Sequence, residues 1–240
     1  MTTIAAAAEP GHVRSGRLAA GERIAGLAGI IFAVLLIVQN VVKAATSPPD
    51  DATAAQVLRF VDHDAWTVHL LVVTYVIGFP ALFLFAGGLV GRAREVTPRS
   101  EIWGRLGLSS VGVIAVLFGF LNVLQVVLVA DRTGLAHDPT AVSAIWTLHN
   151  AIFTMNLLAV GGALLGLGRA AWVAGLVPRR LGIATIVGAL LLAVAAAPAV
   201  AEVHGSNLLV IGLAGFLCWL VFVVVVSGRL IAAPDRTASV

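Results

Sequence analysis

The sequence predicts an all-α integral membrane protein, with six transmembrane helices built from tandem helical hairpins. Two observations set the class. The 240 residues are 60% hydrophobic and only 11% charged, with a mean hydropathy of +1.02, whereas a soluble domain is about 25% charged. Six apolar stretches (24–45, 67–90, 106–130, 149–170, 181–201 and 207–229) each reach the ~20 residues that a helix needs to cross roughly 30 Å of hydrocarbon. None of them alternates polar with apolar, which excludes barrel strands. Backbone in lipid must satisfy itself within the segment, so each stretch is a helix.

The first stretch is too long for the apolar region of a signal peptide, and "KAAT" (Lys43–Thr46) is a poor cleavage site, so it is read as a retained helix. It carries Ala25 and Gly29 in small-xxx-small spacing, and the fourth stretch carries Gly162 and Gly166; such faces let two backbones approach closely. Pro80, just after Gly78, predicts a kink in the second helix, and Pro198 predicts a bend or end in the fifth. The sole cysteine, Cys218, lies in the sixth and has no intrachain disulfide partner. The expected organisation is a disordered tail over 1–22, a six-helix domain over 23–230 and a second tail over 231–240.

Cations orient the helices. Twelve arginines (14, 17, 23, 92, 94, 99, 105, 169, 179, 180, 229 and 236) fall on one side of this topology, against Lys43, Arg59 and Arg132 on the other. Positive loops stay inside, so both termini are expected in the cytoplasm of a bacterial plasma (inner) membrane. The same asymmetry accounts for the net charge of +3 and the pI of about 10.0 without a nucleic-acid partner. No basic run of five and no nucleic-acid motif is present.

The third observation is a repeat. "AWTVHLL" (Ala65–Leu71) and "IWTLHNA" (Ile145–Ala151) each place Trp, Thr, an aliphatic residue and His at the start of an apolar run. Upstream, "AVLLIVQNVVK" matches "AVLFGFLNVLQ", which sets Asn40 against Asn122. Asn is uncommon in such helices, so this match carries more weight than the Ala, Val and Leu matches around it. Helices 1–2 and 3–4 therefore read as a parallel duplication about an axis along the membrane normal, with helices 5–6 as a possible third copy through "EVHGSN" and its His204. Asp51 and Asp138 stand where helix N-caps are expected.

His69, His149 and His204 fall within about a turn of the outer boundary, at a depth shared with Asn40, Lys43, Asn122, Gln125, Asn150 and Glu202. This polar layer at one end gives two readings. In the plainer one, Trp66 and Trp146 belong to the interfacial aromatic belt and the histidines hydrogen-bond beside them. In the sharper one, His69 and His149 point inward with Asn40, Asn122, Gln125 and Glu202 around a pocket open to the outside. A metal or haem on His69, His149 and His204 is an alternative that is not favoured, because no local ligand spacing such as H-E-x-x-H is present.

Transport of charged species leaves ionisable groups at mid-depth, and the sequence has none there. Neither a G-x-S-x-G motif nor a Ser-Lys pair is present, so catalysis is not supported. "PPDDATAAQVLRFVDHD" and "GLVPRRLGIATIVGALLLAVA" resemble stretches of a broad group of uncharacterised small six-helix membrane proteins of high-GC bacteria. That resemblance implies the topology and supplies no catalytic residues. The expected role is a binding or accessory protein for a lipid, a small apolar molecule or a membrane-protein partner. A His-ligated redox protein and a small-molecule transporter stand as alternatives.

Overall fold

The computed structural model describes residues 10–197 and 209–232, with side chains described over 20–197 and 211–232. Its helices are α1 (Pro10–Thr46), α2 (Ala54–His63), α3 (Ala65–Val96), α4 (Glu101–Ala130), α5 (Arg132–Leu135), α6 (Pro139–Val173), α7 (Arg179–Ala196) and α8 (Leu209–Ile231). A 3₁₀ turn at Pro98–Ser100 leads into α4. Six of these helices are long and apolar enough to cross a membrane, and the chain is a multi-pass membrane protein. Its outer surface is apolar: Ile31, Val76, Leu84, Val116, Phe120, Leu190 and Val221 are all exposed. An apolar surface of this extent belongs in lipid.

Each long helix packs on its neighbour in sequence, and α8 returns to α1, so the six close into a ring. Small residues bring the backbones together, as their spacing predicts. Ala25 of α1 meets Gly88 of α3, and Gly166 of α6 packs on Gly107 of α4. A Cβ on Gly107 would stand 2.8 Å from the Leu167 backbone nitrogen. Pro80 sits inside an α3 that runs unbroken through it. α7 stops at Ala196, short of the expected 201, and Pro198 lies outside the described residues.

The two ends of the ring differ in chemistry. At one end Arg92 pairs with Glu22 at 3.5 Å, and Arg229 donates to the Leu176 carbonyl at 2.7 Å. The α6–α7 turn here closes as a Schellman motif: Gly175 takes φ 69°, its N–H reaches the Trp172 carbonyl, and Leu176 N–H reaches Ala171. At the other end, α2 lays Val57, Phe60 and Val61 against Leu128, Val142 and Trp146. α2 is capped by Thr53 rather than by the expected Asp51. Thr53 and Gln56 form a capping box, in which the threonine bonds the N3 N–H and the glutamine reaches back, so Asp51 has no donor to receive. Asp138 caps α6 as expected, accepting from Ala141 N at 3.0 Å.

Candidate functional site

α6 presents one face to the middle of the ring. Trp146, His149, Asn150, Phe153, Asn156, Leu157 and Val160 recur at steps of three and four, the spacing that stacks side chains along one side of a helix. His149 is 2% exposed. An imidazole placed there without partners would cost several kcal/mol, and both of its nitrogens are bonded. Gln125 Nε2 lies 2.8 Å from His149 Nε2, and His149 Nδ1 lies 3.1 Å from Asn150 Oδ1. The Gln125 amide therefore donates to Nε2, and the proton sits on Nδ1, which donates to Asn150. Asn150 Nδ2 in turn donates to the Asp50 carbonyl at 2.8 Å, while Trp146 Nε1 donates to Pro49 at 3.2 Å. The indole and imidazole are stacked, with centroids 4.9 Å and planes 6° apart. Two adjacent carbonyls of the α1–α2 connection are thus tied down by one turn of α6.

Beneath this polar cluster lies a cavity of about 220 Å³, lined from α1, α3, α4, α6 and α8. Gln39, Asn40, Lys43, Asn122, Gln125 and His149 line it toward the α2 end; Phe32, Leu82, Phe118, Phe216 and Trp219 line its apolar remainder. Aromatic packing closes the floor. Phe32 meets Trp219 edge-on at 6.3 Å, Trp219 meets Phe222 at 6.2 Å, and Phe222 meets Phe85 at 6.5 Å.

Of the residues that the sequence singled out, Asn40, Asn122, Gln125 and His149 share this cavity. Asn40 and Asn122 behave as counterparts, each donating its amide to the carbonyl one turn earlier, Leu36 at 2.8 Å and Phe118 at 2.9 Å. The partners of His149 are instead Gln125 and Asn150. His69, expected to point inward, is exposed and bonds the Ala65 carbonyl of its own helix at 2.9 Å. The reason is helix rotation. One residue along a helix turns the side chain by about 100°, and α3 buries Thr67, Val68 and Leu71 where α6 buries Trp146, His149 and Asn150. Thr67 Oγ1 meets Thr46 Oγ1 of α1 at 3.3 Å, which suits that setting of the helix. Glu202 and His204 lie outside the described residues. Among the described residues no three His, Cys, Asp or Glu side chains gather as a metal would need.

Two further cavity residues stand out in the structure. Lys43 Nζ lies 3.9 Å from the Phe153 ring centroid, a cation–π contact inside the bundle. Asn156 is 2% exposed, and its Oδ1 has no hydrogen-bond partner. The sequence does hold a signal for Lys43, which is the sole lysine beside fourteen arginines. Above it, Asp50 holds its carboxyl above the usual aspartate range, chiefly through burial; the neighbouring Lys43 charge opposes this and Asp51 adds to it.

No curated protein and no solved structure matches the chain. A family model described as a domain of unknown function, DUF4386, matches residues 24–227, and the chain belongs to that family.

Proposed function

We propose that the protein binds a small amphiphilic or apolar molecule in the central cavity, with the molecule's polar end under the His149 cluster. The observation that carries this reading is the cavity itself, polar at one end through Asn40, Asn122, Gln125 and His149 and apolar below. Binding sites are typically concave and mostly apolar, with a few convergent polar groups. The aromatic floor supports a blind pocket over a path through the bundle. The charge asymmetry supports cytoplasmic termini in a bacterial inner membrane, with the His149 end outside.

Organic extraction of the purified protein, followed by mass spectrometry, tests the reading. A single class of small amphiphile retained at about one per chain is expected, and it should be lost when Gly78 is replaced by Leu. Gly78 lines the cavity, and a Cβ there meets nothing closer than 3.9 Å, so the leucine is expected to take up cavity space. Equal retention by both proteins overturns the proposal.

A further inference from the structure

The end of the bundle opposite the His149 cluster is divided in its charges. Toward α1, α3 and α4, carboxylates stand among the arginines: Arg92 pairs with Glu22 at 3.5 Å and with Glu95 at 3.6 Å, and Arg94 reaches Glu101 at 3.6 Å. Toward α6, α7 and α8 stand Arg169, Arg179, Arg180 and Arg229, and the described residues of those three helices include no Asp or Glu. Arg229 donates to the Leu176 carbonyl. For Arg169, no carboxylate or carbonyl among the described residues accepts a hydrogen bond; its contacts are two indoles.

The Arg169 guanidinium carbon lies 5.3 Å from the Trp103 ring centroid and 4.8 Å from that of Trp172, both within cation–π reach. Ring faces attract the charge, yet they are not conventional acceptors for the five N–H donors of a guanidinium. Glu101, two residues from Trp103, is about 200° round α4 from it and already accepts from Arg105 at 2.6 Å. The donors of Arg169 therefore call for an acceptor from outside the chain.

The surroundings say what kind of molecule brings it. Met155, Leu158, Leu165, Arg169 and Trp172 follow at steps of three, seven, four and three, which keeps them on one face of α6. Met155 is 42% and Leu158 44% exposed, and the other three are half-buried, so this face looks out into lipid between α4 and α7. It is apolar as far as Leu165 and then ends in a cation and an indole. A lipid has the same order of groups, chain first and then phosphate at the headgroup level where tryptophans sit. On the α7 side, a Cβ on Gly182 would stand 2.5 Å from the Trp172 indole, and Arg179 lies one turn before Gly182, nearer the rim. An arginine fork fits two phosphate oxygens, and basic sites between membrane helices suit anionic headgroups. A zwitterionic headgroup would bring a cation as well, and no carboxylate of α6, α7 or α8 among the described residues is there to receive it.

We infer that the outward face of α6 between α4 and α7 binds an anionic glycerophospholipid, its phosphate in the fork of Arg169 and an acyl chain along Leu165, Leu158 and Met155. This site is separate from the central cavity and does not depend on what the cavity binds.

Native mass spectrometry of the full chain, released from detergent containing graded phosphatidylglycerol or phosphatidylcholine of equal chain length, counts bound lipid directly. Phosphatidylglycerol is expected to give a saturable first adduct at roughly tenfold lower concentration than phosphatidylcholine. Arg169→Gln should weaken that adduct about tenfold through loss of a charge-assisted bond, and Arg169→Lys less. Arg179→Gln changes an exposed side chain that has no partner among the described residues. It should weaken the adduct by about threefold without touching the indole contacts, so the test does not rest on how well the Arg169 variants fold. Arg92→Gln removes a charge already paired with Glu22 and Glu95 and should leave the adduct unchanged. Inorganic phosphate, which has no chain, should not displace it. The inference is overturned if the two lipids bind alike, if neither Arg169→Gln nor Arg179→Gln weakens the adduct, or if Arg92→Gln weakens it as much as Arg169→Gln does. Displacement by inorganic phosphate would equally overturn it, by assigning the site to a soluble anion.

Discussion

Trp146 and His149 stack in parallel inside the bundle, 4.9 Å apart, whereas Trp66, which opens the same four-residue motif on α3, is 53% exposed. One motif thus has two fates, and the difference should appear as stability. His149→Ala leaves Gln125 and Asn150 without their shared partner and loosens the hold on the α1–α2 connection. It is expected to cost on the order of 2–3 kcal/mol. His69→Ala removes a solvent-side bond and should stay within about 0.5 kcal/mol. Thermal unfolding in one detergent compares the two, and equal losses would show that the inward cluster has no special structural role.

The α4–α6 crossing should be intolerant of added bulk. Gly166 faces Gly107 backbone, and a Cβ on it would stand 2.8 Å from the Trp103 carbonyl oxygen, whereas a Cβ on Gly87 meets nothing within 4 Å. Gly166→Ala is expected to destabilise by about 1–3 kcal/mol through overpacking. Gly87→Ala, which relieves a helical glycine, should be neutral or slightly stabilising. The same unfolding assay reads both.

Orientation is testable by labelling. In a Cys218→Ala background, Thr133→Cys and Asp62→Cys should react with an impermeant thiol reagent in intact cells. Arg94→Cys and Arg179→Cys should react only after the cells are opened. The reverse pattern would place the His149 cluster on the cytoplasmic side and contradict the charge argument.

Asp50 gives a pH dependence with a definite sign. Its pKa is raised in the folded state, chiefly by burial, so the folded chain holds the proton more tightly than the unfolded one. Its contribution is therefore most favourable below the unfolded value near pH 4, and it is lost as pH rises through the folded pKa. Asp50→Asn removes that loss. The variant should melt slightly higher than the native protein at pH 7, by on the order of one degree because the group is only half buried, and at the same temperature near pH 3. A lower melting point at pH 7 would mean that attraction to Lys43 outweighs desolvation.

The fold was legible because its signals are local. Twenty apolar residues in a row specify a crossing whatever surrounds them, and the small-residue spacing at Ala25 and at Gly162 with Gly166 marked real crossings. The site was legible in part. The depth of Asn40, Asn122, Gln125 and His149 follows from position along a helix. Which way a side chain points depends on helix rotation, and tertiary contacts such as Thr46 with Thr67 bear on it, so a motif that repeats in letters did not repeat in space. That Asn156 Oδ1 is buried without a hydrogen-bond partner is something only packing reveals. Lys43 was read both as an outer-side cation and as a member of the polar layer, but nothing in the sequence says that it leans inward over Phe153.

The central claim is that the cavity is a binding site, and cavity filling tests it most directly. Thermal unfolding of the native protein and of Gly78→Leu would be measured with and without saturating decanoate. The account predicts that ligand stabilises the native protein, by about 2.7 kcal/mol at a hundredfold excess over Kd. Gly78→Leu should be at least as stable without ligand and indifferent to it. The claim is contradicted if decanoate shifts both proteins equally, which would locate its effect in the surrounding lipid or detergent, or if it shifts neither.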